Sequence, residues 1–428
     1  MTRAMKDSGL EWIGMIPENW TTSKIDNLYS LRNTKVSDRD YQPLSVTKQG
    51  IIPQLETATK TDAHDDRKLV KIDDFVINSR SDRRGSCGIS SLEGSVSLIN
   101  TVLSSKSNIS SRYYDWLFHT LQFGDEFYKW GHGIVDDLWT TNWQDMRNIS
   151  IPFPPIDEQE EIATFLDFKC SQIDQLTDNI KQQIASLSEY KKALITQAVT
   201  KGLDPDVEMK DSGIEWIGKI PSHWSILRIA NIYTERSETG CKDDLPILMV
   251  SINSGVSNGE VLDEERTRMV VRSEDKSLYK RVYPDDLVYN TMRAWQGAFG
   301  AVRVNGLVSP AYVTAAPKID IDSRYIEYLL RTPPAKEEMK RYSYGIADFR
   351  MRLYWQYFKN ISVALPPLDE QHHIASFIDS SYFKIDSVIK KKSELLETLQ
   401  DYKKSLIYDY VTGKREVPVS YRKGGSHE

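Results

Sequence analysis

The chain is written twice. Lys6-Asp7-Ser8-Gly9-Leu10-Glu11-Trp12-Ile13-Gly14 returns as Lys210-Asp211-Ser212-Gly213-Ile214-Glu215-Trp216-Ile217-Gly218, and Ile16-Pro17 and Trp20 return as Ile220-Pro221 and Trp224, a register of 204 residues. Further along the register is 212. Asp74, Asn78, Gly85 and Gly88 match Asp286, Asn290, Gly297 and Gly300, and Pro154-Pro155-Ile156-Asp157-Glu158-Gln159 matches Pro366-Pro367-Leu368-Asp369-Glu370-Gln371. The change of register places about eight extra residues of the second copy between the regions of Ile51 and Lys68. Any fold for this chain must therefore be a frame that two tandem copies can build.

Where the copies diverge bears on what they do. The rims and helices repeat well, whereas 21–70 and 225–280 differ in both sequence and length. Diverged interiors on a common frame suggest two binding faces tuned to different targets. The bland alternative is a duplication that only enlarges a core. A length of 428 residues allows two or three domains. A balance of 55 Lys+Arg against 61 Asp+Glu, net −6, excludes a protein that grips nucleic acid by bulk charge alone. Cys87, Cys170 and Cys241 make neither a disulfide framework nor a zinc spacing. No apolar run approaches the ~20 residues that span a bilayer, and the N-terminus has no signal-like apolar region. The chain reads as cytoplasmic, with no membrane partner.

From Asp157 to about Lys201 neither Pro nor Gly occurs, which permits a helix of roughly 40 residues, about 60 Å long. Pro154-Pro155 stops the preceding strand, Asp157 can cap, and Glu158, Glu160 and Glu161 suit the positive end of the helix dipole. Ile173, Leu176, Ile180, Leu187, Tyr190 and Leu194 form a heptad seam with one polar site at Gln183. Ile385, Val388, Leu395, Leu399, Tyr402 and Leu406 repeat it, with Lys392 in one seam position. The simplest arrangement is an antiparallel coiled coil of the two helices; the alternative is that each packs only on its own domain. The expected fold is thus α+β: two globular α/β domains in pseudo-twofold tandem repeat, separated by two long helices packed as an antiparallel coiled coil. The divisions are 1–155, helix 156–205, 206–367, helix 368–414, and a flexible tail 415–428. Within the globular parts, strands are expected at Phe75–Ile77, Ser97–Ile99 and Leu287–Tyr289, and short helices near Tyr113–Phe127 and Tyr325–Leu330.

The most suggestive polar loops occupy equivalent places. Asn78-Ser79-Arg80-Ser81-Asp82-Arg83-Arg84-Gly85 follows one strand, and Asn290-Thr291-Met292-Arg293-Ala294-Trp295-Gln296-Gly297 follows its counterpart. Arg can reach guanine O6 and N7 with two hydrogen bonds, Asn and Gln can read adenine, and hydroxyls can bond phosphates. Asn78, Ser79, Arg80, Arg83, Arg84, Asn290, Arg293, Trp295 and Gln296 are therefore candidate DNA contacts, although Asn78 and Asn290 also suit turns and Trp295 a core. A second pair of segments, Val135–Thr141 and Ala347–Arg352, adds Thr140, Arg350 and Arg352. A third, Thr47-Lys48-Gln49-Gly50 with Ser251-Ile252-Asn253-Ser254-Gly255, adds Lys48 and Asn253. The basic run Arg266, Arg268, Arg272, Lys276, Lys280 and Arg281 reads as a solvated face or a phosphate contact.

Catalytic signatures do not appear. There is no Gly-x-x-x-x-Gly-Lys-Ser/Thr phosphate loop, and Pro154-Pro155 and Pro366-Pro367 lack the residues that flank such prolines in an amino-methyltransferase site. His372-His373 are adjacent, so they cannot share a metal as an i, i+4 pair could, and the first copy has Glu160-Glu161 there. Glu189-Tyr190-Lys191 fits the end of a nuclease motif only superficially, since it lies on the heptad seam. No catalytic, cofactor-binding or metal-binding residue is assigned.

The repeated Gly-Leu/Ile-Glu-Trp-Ile-Gly…Ile-Pro…Trp opening, the Pro-Pro-Ile/Leu-Asp-Glu-Gln helix start, and Asn290–Gly297 followed by Val308-Ser309-Pro310-Ala311-Tyr312 resemble the DNA-specificity (S) subunit of type I restriction-modification enzymes. The resemblance covers about residues 6–414. The first half departs from it, with Ser79-Arg80-Ser81-Asp82-Arg83-Arg84 in place of the aromatic loop. It implies two target-recognition domains, each reading half of a bipartite site in double-stranded DNA, helical spacers that set their separation, and two docked methyltransferase (M) subunits. With restriction (R) subunits such an assembly also cleaves DNA. S-adenosylmethionine would serve M, and ATP and Mg2+ would serve restriction; none is expected in this chain. Two readings stay open beside it: a self-contained DNA methyltransferase or nuclease, and a scaffold that ignores sequence.

Overall fold

The computed structural model describes residues 3–54, 64–106, 108–133, 139–239, 245–252, 254–258, 276–345 and 351–421. Two compact units divide the chain: Met1–Ile180 with Ser393–Glu428, and Lys181–Lys392.

The first unit is built on a four-stranded antiparallel sheet in the order Cys87–Ile89, Phe75–Asn78, Asn100–Ser105, Tyr29–Leu31. Its register pairs Cys87 with Ile77 and Thr101 with Ile77 on the other side. Beside it lie a three-stranded sheet (Gly94–Ser97, Arg67–Val70, Lys35–Val36) and the hairpin Leu44–Thr47/Gly50–Pro53. The second unit repeats the principal sheet in the same order, as Phe299–Ala301, Leu287–Asn290, Tyr312–Pro317 and Tyr233–Arg236, and carries the hairpin Leu248–Ser251/Gly255–Asn258. The strands at Phe75–Ile77 and Leu287–Tyr289 are as expected. Leu98 and Ile99 instead make the tight turn from Gly94–Ser97 into Asn100–Ser105, where both are exposed. An apolar pair there reads as strand only because sequence alone does not show the reversal. The helix near Tyr113–Phe127 is two helices, Ser111–Phe118 and Leu121–Lys129. Thr120 ends the first and caps the second, its hydroxyl accepting from the Phe123 amide at 3.2 Å.

The long helices run from Ile156 to Lys201 and from Leu368 to Val411. Each unit takes the start of one and the end of the other into its core. In the first, Ile162, Phe165 and Leu166 pack with Leu406, Tyr410 and Val411 around Trp20, Tyr113 and Phe123. In the second, Ile374, Ala375 and Ile378 pack with Ile195, Ala198 and Val199 around Trp224, Tyr289 and Tyr325. The helices therefore pair antiparallel. Asp174 receives Lys403 at 2.6 Å within the first unit, and Asp386 receives Lys191 at 2.6 Å within the second. The two polar seam positions meet each other: the Lys392 ammonium donates to Gln183 Oε1 at 2.5 Å.

The seam is narrower than its heptad pattern suggests. Ile180 and Leu406 are buried, but Leu176 is 47% exposed, Tyr190 58%, Val388 43%, Leu395 45% and Tyr402 50%. Two helices share a single contact line, and a straight helix of 3.6 residues per turn drifts away from a 3.5-residue repeat, so alternate seam positions lie on its flank.

The repeated motifs are the joints of this frame. The indole N–H of Trp20 donates to Glu158 Oε2 at 2.8 Å, and that of Trp224 to Glu370 Oε2 at 3.1 Å. Buried Gln159 accepts from the Ser110 amide at 2.9 Å and donates to the Pro154 carbonyl at 2.8 Å; Gln371 does the same with Asp322 and Pro366 at 3.1 and 2.8 Å. Tyr113 and Tyr325 donate their hydroxyls to the carbonyls of Val411 and Val199, tying the sheet-covering helices to the incoming helix ends. Gly14 and Gly218 close the Glu-Trp-Ile-Gly turns at φ of 70° and 72°, a conformation that excludes most side chains.

The tail expected to be flexible packs in its described part. Val417 is buried, and Tyr421 stands 5.3 Å from the Phe165 ring and 5.6 Å from Phe168. Burial of those rings outweighs the polar composition that suggested a loose end. Among the described residues, no helix is long and apolar enough to cross a membrane.

Candidate nucleic-acid interface

In the first unit, the loop after Phe75–Asn78 is shaped by its own first residues. Asn78 Oδ1 accepts from the Arg80 amide at 3.1 Å, a local turn that keeps the side chain buried. Ser79 is buried as well, its hydroxyl 2.9 Å from that of Thr101. Asn78 thus takes the turn role that the sequence left open, and the polar groups of both residues face inward. Beyond them the chain emerges. Arg80, Arg83 and Arg84 are exposed, with Ser81–Arg83 forming one 3-10 turn.

The second candidate segment lies alongside. The Thr141 amide donates to the Ser79 carbonyl at 2.9 Å, the Ser81 amide to the Trp139 carbonyl at 2.9 Å, and Arg80 bridges Thr140. Exposed Arg80 and Thr140 therefore share one surface strip, although they stand 60 positions apart in the sequence. Arg84 is held to one side, 2.8 Å from Asp125 and over the Tyr128 ring at 5.4 Å; Arg83 lies 3.6 Å from Asp82. Lys48 is exposed at the turn of the Leu44–Pro53 hairpin.

The second unit repeats the scaffold with other side chains. Asn290 Oδ1 accepts from the Met292 amide at 3.0 Å, so its role too is that of a turn residue. The Leu353 amide donates to the Thr291 carbonyl at 2.9 Å, which sets exposed Arg352 beside the loop that carries exposed Arg293. Trp295 is partly buried against the core, its indole N–H donating to the Met292 carbonyl at 3.1 Å and its ring under Lys340 at 5.6 Å. Gln296 is half-buried. Asn253, Arg350, and Arg266, Arg268 and Arg272 lie outside the described residues, as do 134–138 and 346–350.

At the described end of the basic run, Lys280 and Arg281 are half-buried. Half-buried Lys280 donates to the Tyr312 carbonyl at 2.6 Å, and burial lowers its pKa. Arg281 lies over the Tyr283 ring at 5.1 Å. Strand packing has drawn both into the fold.

Sequence reasoning missed two carboxylates beneath these surfaces. Glu327 is 3% exposed, accepts from the Ala301 amide at 2.9 Å and pairs with Arg331 at 2.9 Å. Its counterpart Asp115 accepts from the Ile89 amide at 2.8 Å. Desolvation raises the pKa of both, more than their cationic neighbours and the amide hydrogen bonds lower it. The available signal was an acid at the same place in the 212-residue register, on an otherwise apolar helix face.

Comparison with known proteins agrees with this architecture. A family model described as the type I restriction modification DNA specificity domain matches residues 17–187. The type I restriction enzyme MjaVIII specificity subunit of Methanocaldococcus jannaschii is 27% identical over 352 residues, 76% of this chain and 75% of that protein. The EcoBI specificity subunit of Escherichia coli is 26% identical over 280 residues, 61% of this chain and 57% of that protein. Two solved structures share the fold. One is a chain from a study of type I R-M system assembly (TM-score 0.68, 11% identity, 94% of this chain and 99% of that one). The other is the HsdS subunit from Thermoanaerobacter tengcongensis (TM-score 0.53, 13% identity, 94% and 98%). The first copy thus matches the model of the type I restriction modification DNA specificity domain, its helix-start and turn motifs return in the second copy, and the chain is similar to type I restriction enzyme specificity subunits over most of its length.

Proposed function

We propose that this chain is the sequence-specific DNA-recognition subunit of a type I restriction-modification system. Each unit reads one half of a bipartite site in double-stranded DNA, and the paired helices set the gap and dock two M subunits. The observation that carries the reading is the pair of equivalent loops: one frame, held by the same backbone contacts, presents Arg80 beside Thr140 in one unit and Arg293 beside Arg352 in the other. Different donors on a common frame suit two different half-sites.

The chain is a non-catalytic subunit. Adenine methylation would use S-adenosylmethionine bound by M, and cleavage would require R subunits with ATP and Mg2+, in the cytoplasm. Pseudo-twofold repetition lets one chain offer equivalent docking surfaces to two M copies. Base-resolution mapping of methylated adenines in DNA from cells expressing this chain with its M partner tests the reading. A bipartite motif is expected. Methyl transfer from labelled S-adenosylmethionine by the purified chain alone would overturn it.

A further inference from the structure

Every recognition loop faces the same physical problem. A short hairpin turn has little core of its own, and ordering it costs conformational entropy of about 1–2 kcal/mol per residue. The second unit's Leu248–Asn258 hairpin meets this problem with a buried ion pair. Glu327, on the helix Ser323–Leu330, accepts from the Ala301 amide through Oε2 and from Arg331 Nη1 through Oε1, at 2.9 Å each. Arg303 stands 3.9 Å from the same carboxylate. The other arm of Arg331 reaches past it: Nη2 donates to the carbonyl of Ile252 in the hairpin turn at 3.1 Å.

The turn comes close enough that side chains are excluded. A Cβ at Gly255, whose φ is +70°, would lie 2.2 Å from Glu327 Oε1; one at Gly300 would lie 2.4 Å from the Val256 nitrogen. The hairpin is thus seated on the strand Phe299–Ala301, next to the strand that runs directly into the Asn290–Gly297 loop.

Among the described residues, the first unit has the seat without an equivalent bond from helix to hairpin turn. A Cβ at Gly88 would lie 2.9 Å from the Gly50 Cα, so the Leu44–Pro53 hairpin sits on the equivalent strand, whose Ile89 amide is held by Asp115. At the position of Arg331 stands His119, whose Nδ1 lies 2.7 Å from the Asp115 carbonyl oxygen and 3.6 Å from its carboxylate, so its contacts stay on its own helix. A buried ion pair is a weak source of stability, because desolvation of both charges offsets their attraction. Among the described residues only the second unit's pair also bonds the hairpin turn, which is better explained by the position it imposes on that turn.

We propose that Arg331, oriented by Glu327, is a positioning residue for DNA recognition by the second unit: it fixes the hairpin at Ile252 relative to the Asn290–Gly297 loop, so that both address one half-site. This rests on the recognition reading above. It differs from a merely structural role in being confined to specificity at one half-site.

The discriminating variant is Arg331→Lys. A lysine keeps the charge beside Glu327, but its single nitrogen cannot hold the carboxylate and the Ile252 carbonyl from opposite sides as the guanidinium does. In the full complex with M subunits, methylation rates are measured on duplexes carrying each single base change in both half-sites. R331K is expected to lower discrimination on the order of tenfold, and only in the half-site that Arg293→Ala also affects. G255A, which presses on the clamp from the hairpin side, is expected to relax the same half. The other half-site serves as an internal control for folding. Wild-type discrimination by R331K in that half, or equal loss in both halves, overturns the proposal while leaving the recognition reading intact. A wild-type complex with no sequence preference overturns both.

Discussion

Replacing Gln159 with leucine isolates the joint between the first long helix and its unit. The side chain is 1% exposed and makes two hydrogen bonds to main chain, from the Ser110 amide at 2.9 Å and to the Pro154 carbonyl at 2.8 Å. Leucine fills nearly the same volume but leaves a donor and an acceptor without partners. Ser110 and Pro154 are themselves buried, so water cannot readily take over. Each orphaned group costs about 1–3 kcal/mol, which puts the loss at about 3–4 kcal/mol once the apolar gain of leucine is allowed for. For a unit of this size, 1 kcal/mol corresponds to about 2–4 °C in Tm, so calorimetry should show a fall of about 6–16 °C. Gln371→Leu should do the same in the second unit, where Asp322 and Pro366 lose the equivalent partners. Exposed Gln182 supplies the control: Gln182→Leu on the same helix should stay within about 0.5 kcal/mol. A fall of less than 2 °C for Q159L would refute the reasoning, since it would mean that the buried groups are satisfied without the carboxamide.

Further outcomes follow from the same geometry. Arg80→Ala should relax recognition of one half-site and Arg293→Ala that of the other, by about 1–3 kcal/mol each in competition methylation; equal effects of either on both halves would contradict separate readers. Removing seven residues from each long helix around the facing pair Gln183 and Lys392 shortens the coil by about 10 Å, and should change the permitted gap between half-sites; an unchanged gap removes the spacer role. The buried Asp286 carboxyl is pushed up to about 6 by desolvation, although the Tyr283 amide and Arg236 oppose this. Because the folded state then binds more protons than the unfolded chain between about pH 4 and 6, this group makes stability fall as pH rises through that window. Among the described residues Asp286 Oδ1 has no hydrogen-bond partner, so Asp286→Asn should flatten this dependence in denaturation measured from pH 4.5 to 7; an unchanged slope would assign it to other groups.

How much of this was legible in advance depended on whether the information was local or repeated. The long helices were readable because 46 and 44 residues without a breaker, opened by Pro-Pro and acids, leave few alternatives. The recognition loops were locatable because a duplication marks equivalent places without any need to know their shape. Leu98 and Ile99 were misread because a turn and a strand can share a composition. The choice between turn residue and outward donor stayed open at Asn78, and the inward contact of Ser79 was not legible, because a polar side chain does not announce whether it faces solvent or its own fold.

The doubling, the helix seams and the absence of bulk positive charge are properties of the chain written out in order, and periodicity alone reveals them. Tertiary structure decided which end of each helix enters which core, since that depends on Ile162 meeting Leu406 and Ile374 meeting Ile195 across more than a hundred residues of sequence. It also decided which arginines face outward and which carboxylates lie beneath them. Glu327 and Arg331 look like an ordinary helical i, i+4 pair until the hairpin carrying Ile252 is folded over them. Burial turns an interaction of a few tenths of a kcal/mol on an open helix into a constraint on the position of a recognition loop, and burial is a property that no stretch of sequence possesses by itself.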